Sequence, residues 1–222
     1  MQRILISLLC LGVACSALAA KRKNKRSPPP PLRDSPVTLV HLVDADTAYF
    51  RTEGGEVFQA RFAGVNAPEC HKRQVKLRSG LRSARCARDD EPHGLAAAHL
   101  ALKLLRAGPI RATCERKRDG TCKAGGYGRA LVYLRAGGVD VAERLIAEGL
   151  SWTYTKYPSA RRARYCAAEA KARAEGRGMW ARPVQEVMAR VHKKTRRWYQ
   201  QHDALCQRAR STAGRRGAKR RR

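Results

Sequence analysis

The chain has 222 residues, which is enough for one domain of about 150 residues with extensions or for two small domains, and too few for a large multidomain assembly. Its 47 Lys and Arg outnumber 18 Asp and Glu to give a formal net charge of +29, while 43% hydrophobic residues exclude a wholly disordered chain. Such a surface attracts polyanions, which means nucleic acid first, with anionic lipid, lipopolysaccharide or acidic polysaccharide as alternatives.

Residues 1–19 predict a secretory signal peptide. Arg3 precedes an apolar run over 4–13, and Ala17-Leu18-Ala19 is typical of a signal peptidase site. The apolar run is shorter than the roughly 20 residues that cross a bilayer, and a lipoprotein signal ending at Cys15 has a poor motif before it. We therefore expect a secreted or periplasmic protein whose mature chain has no transmembrane span. The basic and then proline-rich residues 20–35 predict an extended linker.

Short strand and helix patterns then alternate along the chain. Strands are predicted at 37–43, 46–52, 57–64, 110–115 and 129–135, and helices at 94–107, 139–148 and 159–175. The basic stretch 65–93 between them is predicted to be irregular. Five short strands with an intervening helix favour an α+β fold, namely a five-stranded OB-fold barrel with three helices, over residues 36–181.

The C-terminal part predicts two further segments. A heptad-like apolar pattern over 183–205 predicts one added helix that packs on the domain, within a helical extension of residues 182–207. Residues 208–222 are rich in Lys and Arg, and their mutual repulsion predicts a disordered basic tail.

Four short motifs of chemical character occur in a fixed order. Asp44-Ala45-Asp46-Thr47 is in the first turn, Arg61 is in the third strand, Asn66-Ala67-Pro68-Glu69 follows that strand, and Gly126-Tyr127-Gly128-Arg129 opens the fifth. Each motif alone has an ordinary interpretation as a turn, a surface cation or a salt bridge. In this order, residues 36–181 resemble the staphylococcal nuclease (thermonuclease) family, which carries Asp-Gly-Asp-Thr, a third-strand Arg, Asp-Thr-Pro-Glu or Asp-Ala-Pro-Glu, and Tyr-Gly-Arg.

The resemblance implies a calcium-dependent endonuclease that hydrolyses phosphodiester bonds of both DNA and RNA and leaves 3'-phosphates. Asp46, Asn66 and the carbonyl of Ala67 correspond to the cation site, and oxygen ligands suit calcium. Glu69 corresponds to the general base or water-orienting residue. The phosphate-binding pair corresponds to Arg61 and Arg129, because guanidinium donates parallel hydrogen bonds and keeps its charge. We expect DNA and RNA as substrates and a monomeric protein.

Two residues depart from the family pattern. Asn66 replaces an acidic residue, which keeps an oxygen ligand but removes one negative charge, so calcium affinity should fall and another divalent ion is an alternative. Gly126 stands where the best-known member has Lys, so one phosphate contact is missing or comes from another basic residue. Tyr127 and Tyr154 are candidates for nucleic-acid binding through base stacking, with packing in the barrel as the alternative.

Six cysteines follow the predicted signal peptide, and an even number in an oxidising compartment predicts disulfides. Fifteen connectivities are open. We favour a bridge across a hairpin, a bridge beside Glu69 and a bridge that docks the extension, which pair Cys114 with Cys122, Cys70 with Cys86, and Cys166 with Cys206. A catalytic or zinc-binding thiol is the alternative, although the sequence has no CxxC motif to support it.

Two other function classes compete with the nuclease interpretation. A noncatalytic OB-fold module would hold nucleic acid through salt-sensitive phosphate contacts, and Asn66 favours it. A protein that binds the anionic cell envelope would use the same charge, but it leaves the ordered motifs unexplained. Cleavage of nucleic acid would distinguish a nuclease from the noncatalytic OB-fold module, which binds without cleaving.

Overall fold

The computed structural model describes residues 30–220, so the predicted signal peptide lies outside the described residues. The strands are β1 (Arg33–Asp44), β2 (Thr47–Thr52), β3 (Val57–Phe62), β4 (Val65–Asn66), β5 (Cys70–Lys76), β6 (Arg82–Asp89), β7 (Ile110–Cys114), β8 (Ala130–Ala136), β9 (Val139–Asp140) and β10 (Trp152–Thr153). The helices are α1 (Gly94–Arg106), α2 (Val141–Ala147), α3 (Arg162–Ala174), α4 (Val184–Ala189), α5 (Lys193–Tyr199) and α6 (His202–Arg220).

Five of these strands form a closed barrel. β1, β2 and β3 make an antiparallel meander, β7 and β8 continue the sheet from the other edge of β1, and a parallel β3–β8 pairing closes it. Strand β3 shows why the sequence folds this way, because Phe58, Ala60 and Phe62 alternate into the core while Arg61 faces the other side. Helices α1, α2 and α3 contribute residues to the same core. The predicted α+β OB-fold barrel is confirmed.

The stretch predicted as irregular contains a two-stranded hairpin. Strands β5 and β6 pair in antiparallel register from Cys70 opposite Asp89 to Lys76 opposite Arg82. The sequence of this hairpin is mostly polar and basic, so its composition resembles that of a loop. Cross-strand hydrogen bonds and the Cys70–Cys86 disulfide hold it instead.

The predicted linker is too long at its C-terminal end. Strand β1 begins at Arg33, and the preceding Leu32 is only 2% exposed. Residues 33–37 pair with β7, so tertiary hydrogen bonds override a polar, proline-containing sequence. Residues 20–29 of this linker lie outside the described part of the chain.

The extension consists of three helices rather than one. The backbone is extended at Pro183 and at His192, where α4 and α5 begin. Their apolar faces form a second core with residues of the domain. The domain contributes Trp152, Ala172, Met179 and Trp180, and the extension contributes Val187, Met188, Val191 and Tyr199. A single apolar pattern therefore covers several short helices that turn around this core.

Helix α6 continues to Arg220, so the described part of the basic tail is helical and its predicted disorder is wrong there. The Cys166–Cys206 disulfide joins α6 to α3 and fixes its first turns. Ala, Arg and Lys have high helix propensity, and a helix that is already nucleated propagates more readily than it starts. Residues 221–222 lie outside the described range.

All three favoured disulfides are present. They join Cys70 to Cys86, Cys114 to Cys122, and Cys166 to Cys206. Among the helices between residues 30 and 220, none combines the length and apolar character that crossing a membrane requires.

Candidate active site

The four sequence motifs converge at one end of the barrel. The antiparallel register places Thr47, at the start of β2, directly opposite Arg61 in β3. The parallel β3–β8 pairing places Arg61 opposite Leu131, two residues after Arg129. Strand pairing therefore brings the Asp turn and the two arginines together, although Arg129 is more than sixty residues away from either in sequence.

Asp46 links the first turn to the loop that carries Glu69. This carboxylate is 3% exposed and pairs with the guanidinium of Arg61. One of its oxygens accepts a hydrogen bond from the hydroxyl of Thr47 at 3.1 Å, and the other accepts one from the amide of Ala67 at 3.0 Å. Asp46 is therefore a fixed, fully bonded group in the described structure.

Arg61 occupies the centre of the site. Its second terminal nitrogen donates to the side-chain oxygen of Asn66 at 2.8 Å. Burial lowers the pKa of Arg61 and the charge of Arg129 adds to this, while Asp44 and Glu69 oppose it. The guanidinium groups of Arg61 and Arg129 thus repel each other in a partly desolvated site, and an anion bound between them would reduce this repulsion.

The backbone of the Gly126–Gly128 turn positions Arg129. The carbonyl of Gly126 accepts a hydrogen bond from Nε of Arg129 at 3.0 Å, and Nη1 donates to the hydroxyl of Thr47 at 3.4 Å. Tyr127 has a left-handed φ of 63° and is 79% exposed, which excludes barrel packing for its ring. Its ring centre lies 5.8 Å from the guanidinium carbon of Arg129. Gly126 therefore contributes an acceptor that orients Arg129.

Glu69 carries the most accessible carboxylate of the motifs, with 56% of its side chain exposed. Its backbone, in contrast, is held on both sides. Its carbonyl oxygen lies so close to Gly94, at the start of α1, that a Cβ there would approach it to 2.4 Å. The Cys70–Cys86 disulfide begins at the next residue. An exposed carboxylate on a fixed backbone suits a group that must accept a proton from water.

Glu91 is a buried acid beside this loop that sequence reasoning missed. It is 6% exposed, and its Oε2 accepts a hydrogen bond from the amide of Glu69 at 2.9 Å. Its Oε1 accepts one from the amide of His192 at 2.6 Å. Burial raises the pKa of Glu91, although these two donors oppose the rise. The carboxylate ties the Glu69 loop to the start of helix α5.

Lys72 is a second residue that the motifs did not indicate. Its ammonium lies 2.7 Å from Oδ2 of Asp44 and 3.4 Å from Oε2 of Glu69. Burial alone would lower the pKa of Lys72, but these two carboxylates outweigh it and raise the pKa. A cation of the chain thus connects the first Asp of the turn to the predicted base.

The oxygen set around Asp46 fits a hard divalent cation in its chemistry. It consists of a carboxylate, the amide oxygen of Asn66 and the carbonyl of Ala67, and the amide nitrogen of Asn66 lies 3.4 Å from that carbonyl. The side-chain oxygens of Asp46 and Asn66 also bond to Arg61. A bound cation would share these oxygens with Arg61, which agrees with the weakened affinity expected from Asn66.

Tyr154 lies beside the arginine pair and is half-buried. The guanidinium carbon of Arg61 lies 6.0 Å from the centre of its ring. Its ring also contacts Tyr157 at 5.9 Å and Trp198 at 5.0 Å between ring centres. Each of the two predicted nucleic-acid-binding tyrosines is therefore near one of the predicted phosphate-binding arginines, and Tyr154 packs against the extension rather than inside the barrel.

A separate buried cluster connects α3 to α6. Atoms of Glu169, His202 and Cys206 lie within 4.8 Å of one another. The sulfur of Cys206 is bonded to Cys166, so this group offers only two free ligands and is a weak candidate for a metal site. Glu169 instead accepts hydrogen bonds from Tyr199 at 2.8 Å and from the amide of Thr153, also at 2.8 Å.

Sequence signals for the missed residues were weak. Glu91 precedes a proline at the start of a predicted helix, where acids are common for local reasons. Lys72 is one of 47 basic residues. Gly94 gave no clear signal either, because glycine is common at the start of a helix, and only the structure shows its close contact with Glu69.

Comparison with known families agrees with this geometry. The family model described as "Staphylococcal nuclease homologue" matches residues 59–182. The match includes Arg61, Glu69 and Arg129, and it ends before helices α4, α5 and α6. No curated protein matches the chain.

Proposed function

The chain belongs to the family of staphylococcal nuclease homologues, and from this premise we propose that it is a secreted or periplasmic endonuclease that hydrolyses DNA and RNA with the help of calcium. Family membership supports nuclease activity in general. The observation that carries the finer proposal is the convergence of Arg61, Arg129 and Glu69 at one end of the barrel, with Thr47 and Asp46 connecting the two arginines.

Each residue has a distinct task in the proposed reaction. Arg61 and Arg129 bind the scissile phosphate and stabilise the negative charge that grows in the transition state. Glu69 orients a water molecule and accepts its proton as the water attacks phosphorus. The P–O5' bond then breaks and O5' takes up a proton from solvent to leave as a 5'-hydroxyl, so that the phosphate stays on the 3' oxygen. Because the arginines contact phosphate and no described residue is assigned to the sugar, both DNA and RNA are expected substrates.

The oxygens of Asp46, Asn66 and Ala67 would hold the cation. When bound, calcium would neutralise phosphate charge and assist the ionisation of water. The family generally depends on divalent metal, and calcium is our specific proposal for this chain. Since Asn66 lacks a charge and Arg61 bonds to two of the oxygens, half-maximal activity is expected only at millimolar-range calcium.

A noncatalytic nucleic-acid-binding module is the second candidate function. It is favoured by one observation, namely that Arg61 already neutralises Asp46 and bonds Asn66, which reduces the attraction of this site for a divalent ion. The same arginines and basic surface would then bind phosphates without turnover. Secretion and a monomeric state are proposed for this second candidate as well, whereas calcium use belongs to the nuclease alone.

The test is cleavage of end-labelled single-stranded DNA, duplex DNA and RNA by the oxidised protein in calcium, magnesium or chelator. The proposal predicts cleavage in calcium, none in chelator, and products that end in 3'-phosphate. Tight, salt-sensitive binding without cleavage in either metal would reject the nuclease and support the binding module. Measuring binding in chelator alongside cleavage makes this second outcome visible.

A further inference from the structure

The segment 184–199, which follows the family match, packs against the candidate active site at two points. At its centre, the amide of His192 shares the carboxylate of Glu91 with the amide of Glu69. Near its end, Trp198 contacts Tyr154. Helix α5 is therefore a neighbour of the catalytic loop rather than a remote appendage.

An aromatic row leads from the catalytic arginine to this helix. The ring of Tyr154 neighbours both Arg61 and Trp198, with its centre 5.0 Å from that of Trp198 in an edge-to-face arrangement. Tyr157 also contacts the ring of Tyr154, with 5.9 Å between the ring centres, and it is 58% exposed. The ammonium of Lys156 lies 5.4 Å from the centre of the Tyr157 ring. An exposed ring flanked by a cation is suited to stack an unpaired base beside its phosphate.

Helix α5 and the residues just before it are strongly cationic. Residues 190–197 contain five Lys and Arg and no Asp or Glu. All five are exposed, and none of them forms an ion pair with a residue that the structure describes. They are Arg190, Lys193, Lys194, Arg196 and Arg197. Arg61 and Lys72, in contrast, are already paired with carboxylates.

Helical spacing puts part of this charge beside the aromatic row. Lys194 precedes Trp198 by four residues and therefore lies one turn away on the same face. Lys193 and Arg197 are also four residues apart and form an adjacent row of two cations. A strand bound at Arg61 beside Tyr154 would thus be close to Trp198 and to these cations.

We propose that helix α5, together with Tyr157, is an additional docking surface for single-stranded nucleic acid that extends the substrate groove beyond the barrel. Lys193, Lys194 and Arg197 bind phosphates, and Tyr157 stacks an unpaired base. Duplex DNA is a poorer partner because its bases are not available to the exposed ring. Its role in presenting substrate for cleavage rests on the proposed nuclease function, whereas binding of a single strand does not.

The test compares two triple variants of equal charge change. One is Lys193→Gln with Lys194→Gln and Arg197→Gln. The control is Lys103→Gln with Arg106→Gln and Arg135→Gln, which are three exposed cations. Arg135 lies in β8, six residues after Arg129, which corresponds to a distance of about 20 Å along an extended chain. Binding of a 20-nucleotide single strand is measured in chelator across a range of salt concentrations.

The α5 variant should bind more weakly, and the slope of log Kd against log salt should become shallower by about 2, because each lost phosphate contact contributes about 0.7 on single strands. The control should keep the parental slope. Tyr157→Leu should weaken single-strand binding by about 5- to 100-fold without changing the slope. Equal slopes for the two triple variants, or equal losses on duplex and single-stranded DNA for Tyr157→Leu, would overturn the proposal.

Cleavage by the parent protein in calcium is measured as well, so that failure of this proposal can be told from failure of the proposed nuclease function. If the parent cleaves and the two triple variants have the same salt slope, only the α5 surface is rejected. A shallower slope for the α5 variant in a protein that never cleaves rejects the nuclease and retains the surface.

Discussion

Substitution of Glu169 by Gln should remove a large part of the acid sensitivity of the fold. Glu169 is 1% exposed and joins three parts of the chain, since it contacts the amide of Thr153 beside Tyr154 and also His202 and Tyr199 of the extension. Arg173 completes its surroundings with an ion pair at 2.5 Å. A carboxylate so placed must be ionised to satisfy its partners.

The magnitude follows from the pKa of this group. Burial alone would raise the pKa of Glu169, but the hydrogen bond and charge of His202, the charge of Arg173 and the amide of Thr153 outweigh it and lower the pKa from 4.5 to about 2. That difference corresponds to about 3 kcal/mol of native-state stability. Because the native pKa is the lower one, this contribution is present above about pH 4.5 and is lost as the pH falls towards 2.

The assay is urea unfolding, followed by tryptophan fluorescence between pH 2.5 and 7 with the disulfides intact. At pH 7, Glu169→Gln should be less stable than the parent by about 3–5 kcal/mol, because it leaves the Arg173 guanidinium without its counter-charge and the amide of Thr153 without its carboxylate acceptor. The difference should narrow by about 3 kcal/mol as the pH falls, since the parent loses a contribution that the variant lacks.

Glu175→Gln is the matched control, because Glu175 follows the same helix but its side chain is 39% exposed and pairs only with surface cations. Its stability should stay within about 0.5 kcal/mol of the parent at every pH, as expected for surface pairs. A constant difference between Glu169→Gln and the parent across the whole pH range would refute the argument.

Three further predictions concern the site and the extension. Asn66→Asp adds a negative charge beside the oxygens proposed to hold calcium, so the calcium concentration for half-maximal cleavage should fall about tenfold, an effect of about 1.4 kcal/mol; an unchanged calcium titration contradicts this. Lys72→Met frees the carboxylate of Asp44 and should also lower the calcium requirement, with a stability loss of about 1 kcal/mol in urea unfolding; a raised requirement would show that Lys72 supports the cation site. Replacing Cys166 and Cys206 by Ala opens a loop of 40 residues and should cost about 4 kcal/mol by the chain-entropy relation, measured by urea unfolding; a loss below about 1 kcal/mol would mean that packing alone docks the extension.

Local sequence patterns predicted the barrel well because each strand has one buried face. The alternation in β3 and the apolar spacing in α1 are properties of neighbouring residues, and they survive folding. The motif residues were predicted from their resemblance to a family pattern. Strand pairing then brings the turn with Asp46, Arg61 and Arg129 to one end of the barrel.

The hairpin and the extension could not be predicted in the same way. Strands β5 and β6 are held by partners across the hairpin and by a disulfide, so their polar composition carries little signal. The breaks at 190–192 and 200–201 divide the predicted helix so that its pieces turn around a core containing Trp152 and Trp180, which no local pattern reveals. Glu91 was missed because its importance lies in a contact 101 residues away with His192.

The most direct measurement is the rate of single-stranded DNA cleavage in calcium by Glu69→Gln. Glu56→Gln is its control, an exposed glutamate in the β2–β3 turn at the other end of β3 from Arg61. Glu69→Gln should cleave about 10²- to 10⁴-fold more slowly than the parent but bind the strand in chelator as tightly. Glu56→Gln should match the parent in both cleavage and binding. Cleavage by Glu69→Gln at the parental rate would contradict the assignment of Glu69 and with it the proposed mechanism.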